Sequence, residues 1–250
     1  MPRPSLVAVL VVAAALPALA LAEPVATPVP VTGAFDRVAS RGDFDVEVRE
    51  GSPASVEVVA EPGWAERIRV EISGSELRLS RRKDFDSAKG VLVKVVIPGF
   101  RGLSVSGSGK GTAESGGSPR DVALAVSGSG ELAWKGTAAV LDVEVSGSGE
   151  ATLKGDAGKA SVSVSGSGEV KLAGSGESLK VSVSGSGEVD GKDFAAKDAS
   201  VSIAGSGDVD LRLAGGTLNA QIAGSGDVTW SGEGKVGAVA TAGSGRVRRR

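Results

Sequence analysis

Eight copies of the tripeptide Gly-Ser-Gly follow one near-constant spacing in this chain, starting at Gly107, Gly128, Gly147, Gly166, Gly185, Gly205, Gly224 and Gly243, with steps of 21, 19, 19, 19, 20, 19 and 19 residues. A fixed period of this size marks a repeat architecture, in which one short unit cannot bury its own apolar side and must stack on the next. A flexible Gly/Ser linker would not hold valines at constant offsets from its glycines. Two residues before the first glycine stand Val105, Val126, Val145, Val164, Val183, Ile203, Ile222 and Thr241. Four before it stand Leu103, Leu124, Val143, Val162, Val181, Val201, Ala220 and Val239, and mostly polar residues such as Ser104, Glu144, Ser163 and Gln221 lie between. This period of two, rich in β-branched residues, describes a half-buried strand.

Past the tripeptide the alternation resumes in the columns Leu132, Ala151, Val170, Val189, Val209, Val228, Val247 and Trp134, Leu153, Leu172, Gly191, Leu211, Trp230. Each repeat therefore predicts two short strands joined at Gly-Ser-Gly, with a second turn at Gly136, Gly155, Gly174, Gly191, Gly215 and Gly232. The expected fold is all-β: a single-stranded parallel β-helix, or solenoid, with coils of ~19 residues whose valine columns stack into a continuous core. An antiparallel meander with Gly-Ser-Gly hairpins is the alternative, but it has no need of equal coils. A sharp corner between strands requires positive φ or close backbone approach, which glycine alone tolerates. The predicted structural turns are the pairs Gly107 and Gly109, Gly128 and Gly130, Gly147 and Gly149, Gly166 and Gly168, Gly185 and Gly187, Gly205 and Gly207, Gly224 and Gly226, and Gly243 and Gly245.

The flanks differ from the repeats. Arg3, the apolar run from Leu6 to Ala15, and Ala20-Leu21-Ala22 have the grammar of a signal peptide over residues 1–22, expected to be cleaved after Ala22, with a cut after Ala20 as the second choice. No Cys follows the run to carry a lipid, and no membrane span is expected after cleavage. Residues 23–32, with Pro24, Pro28 and Pro30, read as an extended lead-in to a solenoid covering 33–245. Within it, 33–100 read as irregular first coils or a cap, and 101–245 as the regular repeats. Ile72-Ser73-Gly74-Ser75-Glu76-Leu77 looks like a degenerate repeat, and 246–250 form a basic tail suited to blunting an open sheet edge.

The chain contains no His and no Cys, which removes Ser-His-Asp, Cys-His and His-metal chemistry. No catalytic residue, cofactor site or metal site is expected. A net charge of −2 offers no field for nucleic acid. The residue after each Gly-Ser-Gly forms a column, Lys110, Glu131, Glu150, Glu169, Glu188, Asp208, Asp227 and Arg246. Its six carboxylates read as a solvated surface stripe, with a calcium-dependent module as an alternative; one exposed carboxylate per coil makes a poor cage for an ion that takes six to eight oxygens. Trp134 and Trp230 are expected in the core, and Trp64, beside Pro62 and Gly63, in an exposed loop.

The repeated Val-Ser-Gly-Ser-Gly-Glu-Val and Ala-Gly-Ser-Gly-Asp-Val units, with the leader from Gly33-Ala34-Phe35-Asp36 to Gly42-Asp43-Phe44-Asp45-Val46-Glu47-Val48, resemble the putative auto-transporter adhesin, head GIN domain family. The resemblance spans about residues 33–245. It implies a bacterial, exported protein and a right-handed β-helix similar to pectin-lyase-like folds, with no established catalytic residues. The expected role is an envelope or cell-surface scaffold or adhesin, in the periplasm or outside the cell, that uses a flat, hydroxyl- and charge-lined solenoid face to meet an envelope protein or glycan and is open to oligomerisation. A polysaccharide-binding or polysaccharide-cleaving β-helix protein is the alternative.

Overall fold

The computed structural model describes residues 23–250, so the signal peptide and its cleavage after Ala22 lie outside the described residues. From Gly102 onward the chain is a parallel solenoid. It comprises β8 (Gly102–Gly107), β9 (Lys110–Glu114), β10 (Arg120–Gly128), β11 (Glu131–Gly147), β12 (Glu150–Gly166), β13 (Glu169–Gly185), β14 (Glu188–Gly205), β15 (Asp208–Gly224), β16 (Asp227–Gly243) and β17 (Arg246–Arg249). Each pairs in parallel with the next coil, like residue above like: Val126 on Val145, Val145 on Val164, Val164 on Val183, Val183 on Ile203 and Ile203 on Ile222. These six side chains are at most 2% exposed. Burying each contributes roughly 1.5–3 kcal/mol, and since no repeat can do so alone, the stacking itself is what makes the core. The parallel ladders exclude the meander.

The second turn differs from expectation. Strands β11 to β16 run unbroken from one Gly-Ser-Gly corner to the next, so Gly136, Gly155 and Gly174 bend a continuous ladder rather than separate two strands. Gly191 is not a turn: it stays extended in the buried column, opposite Leu211. The 20-residue step is absorbed as a bulge beside it, and the extra length carries Phe194 inside, 1% exposed and opposite Gly174. An aromatic ring thus occupies interior space beside a position that has no side chain.

The amino-terminal strands depart most from a regular wind. They are β1 (Val25–Pro28), β2 (Arg37–Gly42), β3 (Asp45–Glu50), β4 (Ser55–Ala60), β5 (Ile68–Ser73), β6 (Glu76–Arg81) and β7 (Leu92–Ile97). The coil β2–β3 lies directly under β8–β9, although 65 residues separate Gly42 from Gly107. The later strands β6 and β7 pair in parallel with its other side. The chain therefore winds one coil, places the next outside it, and returns to continue the stack. β5 closes antiparallel on β6, β4 on β7, and β1 on β4, so the lead-in is part of the sheet and this end is capped. Gly74 and Ser75 are a correction: they turn the β5–β6 hairpin, with Gly74 at φ 63°, and form no solenoid corner. A single left-handed glycine between two alternating apolar runs suffices for a hairpin. Trp64 is half-buried rather than free, with the Arg67 guanidinium 3.6 Å over its ring.

One carboxylate clips the cap-side coil to the repeats. Glu50, at the end of β3, accepts from the backbone N–H groups of Gly116 (3.1 Å) and Gly117 (3.0 Å) and from Arg120. Burial pushes its carboxyl up, but the Gly117 and Arg120 hydrogen bonds and the Arg120 charge outweigh it and hold it below the ordinary value. A depressed folded pKa stabilises the protein above the unfolded value, about 4.3 for glutamate, and that stability is lost as pH falls further, through the folded value. Glu50→Gln is therefore expected to lower Tm at neutral pH and to flatten the acid limb of a Tm-against-pH curve; an unchanged limb contradicts the clip.

Candidate functional surface

The Gly-Ser-Gly corners line one edge of the stack. The first glycine of each holds φ between 104° and 134°. The second is buried because the coil below leaves no room: a Cβ on Gly149 would lie 2.5 Å from Val126 Cγ1 and 2.6 Å from the Gly130 carbonyl oxygen. The corner serine donates its backbone N–H to the first glycine's carbonyl one coil back, at 2.8–3.0 Å from Ser129 to Ser244. The serine side chains face solvent.

The column after the corner is solvated, and its charges are engaged locally. Lys110 Nζ lies 3.1 Å from Glu131, and Lys171 Nζ lies 2.9 Å from Glu150 and 3.0 Å from Glu169. The hydrogen bond and charge of Lys171 draw the Glu150 carboxyl below its usual range, and the two glutamates raise the Lys171 ammonium. Glutamate and aspartate act differently here. Above Glu131 and Glu150, the next backbone N–H bonds a glycine carbonyl: Glu150 N–H donates to Gly130, and Glu169 N–H to Gly149. Above an aspartate the carboxylate takes that N–H itself: Asp208 accepts from Asp227 (2.9 Å), Asp227 from Arg246 (3.0 Å) and Asp45 from Lys110 (3.0 Å). The shorter side chain reaches its upper neighbour's backbone. Glu188 remains exposed in the column. Among the described residues, no three metal-ligating side chains converge.

The wall before each corner presents a different surface. Its outward positions stack as Ser104, Ala125, Glu144, Ser163, Ser182, Ser202, Gln221 and Ala240, beside Ser106, Ser127, Ser146, Ser165, Ser184, Ala204, Ala223 and Ala242. Successive coils lie about 4.8 Å apart, so this is a nearly flat field of hydroxyl and methyl groups. The signal was present as the polar residue between two valines, but it reads as a face only once the coils stack. Toward the capped end the field dips into a shallow depression of about 320 Å³, bordered by Arg37, Glu76, Asp142 and Glu144 over a floor including Ser104 and Ala125. Trp134 and Trp230 lie inside the core at 2% and 5% exposure and contribute nothing to this surface.

Among the described residues no helix is long and apolar enough to cross a membrane. The family model described as putative auto-transporter adhesin, head GIN domain, matches residues 34–172 and 158–234. Among solved structures, a putative adhesin from Parabacteroides distasonis superposes with a TM-score of 0.85 at 20% identity, over 92% of this chain and 98% of that one. A putative lipid binding protein from the same organism gives 0.81 at 22% identity, over 91% and 97%. A putative adhesin from Parabacteroides merdae gives 0.81 at 20%, over 91% and 96%. At these identities the likeness shows the fold alone. No curated protein matches the chain.

Proposed function

The chain belongs to the putative auto-transporter adhesin, head GIN domain family, and from that premise we propose that it is an exported, non-catalytic scaffold of the bacterial envelope or cell surface whose flat pre-corner wall docks an envelope protein or glycan. The observation that carries the reading is the wall itself: two adjacent rows of small, mostly hydroxyl-bearing side chains repeated coil after coil. Such a field suits an extended, repetitive partner, since each coil offers the same donors and acceptors at a fixed spacing. The absence of His and Cys from the sequence supports a binding role, as do column carboxylates already committed to lysines and backbone N–H groups. The signal peptide grammar supports export.

The test is binding of the purified chain to envelope fractions and to a panel of neutral and acidic glycans, compared with Ser163→Arg/Ser182→Arg. Both sites are on the wall and away from the core, so the variant is expected to keep its Tm and lose binding. Binding that ignores the double substitution, or turnover of any glycan in the panel, overturns the proposal.

A further inference from the structure

The depression at the capped end of the pre-corner wall interrupts the field of hydroxyl and methyl groups. Two outward rows cross it. One climbs from Glu76 through Arg37, Gly102, Ala123 and Asp142 to Ser161, and the other from Ser104 through Ala125 and Glu144 to Ser163. Midway along the first row Gly102 has no side chain and Ala123 only a methyl, so the floor is low there, between Arg37 and Asp142. Those two residues stand three strand spacings apart, or about 14 Å at the backbone. The rims differ in sign, and the protein neutralises neither. Among the described residues no salt bridge engages Arg37, Asp142 or Glu144. Glu76, the carboxylate beside Arg37 in the row, is held by Arg78 Nε at 2.6 Å. The ladder neighbours of Asp142 and Glu144 are Ala123, Ser161, Ala125 and Ser163, none of them charged, and Lys180 comes only one step beyond Ser161.

We propose that this depression selects a zwitterionic segment of glycan: a sugar bearing an ammonium group against Asp142 and Glu144, followed on the same chain by a sugar carboxylate against Arg37. The inference rests on the reading of the wall as a docking surface and names what that surface recognises at this end. A guanidinium matches a carboxylate through paired hydrogen bonds, and two adjacent carboxylates without a counter-charge draw a cation. A glycan fits the site better than a peptide does. Strands β8, β10 and β11 are each paired on both sides, so no strand edge is open for a peptide to extend. The floor of Gly102, Ser104, Ala123 and Ala125 is too shallow to take an anchoring side chain. The opposed charges are separated along the stack, so the bound chain crosses the strands, and its continuation passes over Ser161, Ser163 and Ser182, whose hydroxyls meet sugar hydroxyls.

The test is calorimetric titration of the purified chain with oligosaccharides of matched length: hyaluronan stripped of its N-acetyl groups, which carries ammonium and carboxylate on neighbouring sugars; intact hyaluronan, carboxylate only; chitosan, ammonium only; and chitin, neither. The stripped hyaluronan is expected to bind at least about tenfold more tightly than the next best, the gain of one hydrogen bond to a charged group, and to weaken as salt rises. Arg37→Gln is expected to bring it down to the level of chitosan, and Asp142→Asn/Glu144→Gln to the level of intact hyaluronan, with Tm kept because these side chains are exposed. Lys135→Gln, exposed on the wall after the corner, is expected to leave every affinity as it was. Equal binding of all the probes, binding of none, or a preference for the zwitterion that survives both charge variants overturns the inference. Glycan binding that ignores these charges yet is lost in Ser163→Arg/Ser182→Arg keeps the wall as the docking surface and overturns its charge selection alone.

Discussion

Replacing Gly149 by alanine is expected to destabilise the protein by about 3 kcal/mol, the upper range for overpacking a tight site. The added methyl would lie 2.5 Å from Val126 Cγ1 and 2.6 Å from the Gly130 carbonyl oxygen, and both belong to a coil fixed by its own ladder. Relief requires the corner to lift, which breaks the register above it. Because neighbouring coils hold each other in place, a wedge in the middle of the stack also weakens the coupling between its halves. The neighbouring Ser148→Ala removes only an exposed hydroxyl and is expected to change stability by less than about 0.5 kcal/mol. Gly74 is an instructive contrast: it holds a positive φ with nothing within 4 Å of a Cβ, so Gly74→Asn, a residue that tolerates this conformation, is expected to be mild. Urea unfolding of the three variants checks all of this, and a Gly149→Ala protein as stable as wild type would contradict the close corner packing.

The second large effect concerns one column at two heights. Val162 and Val239 occupy the same interior position, but Val162 is 1% exposed and Val239 is 44% exposed. Val162→Asp places a carboxylate among Val143, Val181 and the facing wall with no partner, and is expected to cost upwards of about 4 kcal/mol, enough to prevent accumulation of folded protein. Val239→Asp leaves its carboxylate in water at the end of the stack and is expected to lower Tm only slightly. Yield of soluble protein and thermal unfolding distinguish the two. Equal damage at both positions would mean that this end of the stack is covered within a single chain.

How far the sequence reading reached follows from what stacking makes repetitive. The valine columns, the corners and the acidic column were legible because each coil repeats the chemistry of the one below, so period alone places Val145 over Val126 and Glu150 over Glu131. Where a feature occurs once, the period is silent. Nothing in Gly42-Asp43-Phe44 announces that this corner sits under Gly107-Ser108-Gly109, because the contact depends on the excursion through β4 to β7. Gly74-Ser75 shares its composition with the corners yet turns a hairpin, since local sequence does not say whether the following strand runs beside the preceding one or across the core. Gly191 fitted both the turn list and the interior column; only the bulge, with Phe194 turned inward, decides between them. A flat, hydroxyl- and charge-lined face was legible from the alternation once stacking was assumed, but the depression bordered by Arg37, Glu76, Asp142 and Glu144 was not, because it joins residues from the cap-side coil to the repeats.

The central claim, parallel stacking in register, is tested most directly by a distance. The chain contains no cysteine, so spin labels can be placed at Ser129→Cys and Ser244→Cys, both at exposed corners, and their separation measured by pulsed electron resonance. Six coil steps of about 4.8 Å predict a separation of about 29 Å. Corners that were hairpin loops of an antiparallel meander would lie two strands apart, and a distance near twice that value would contradict the solenoid.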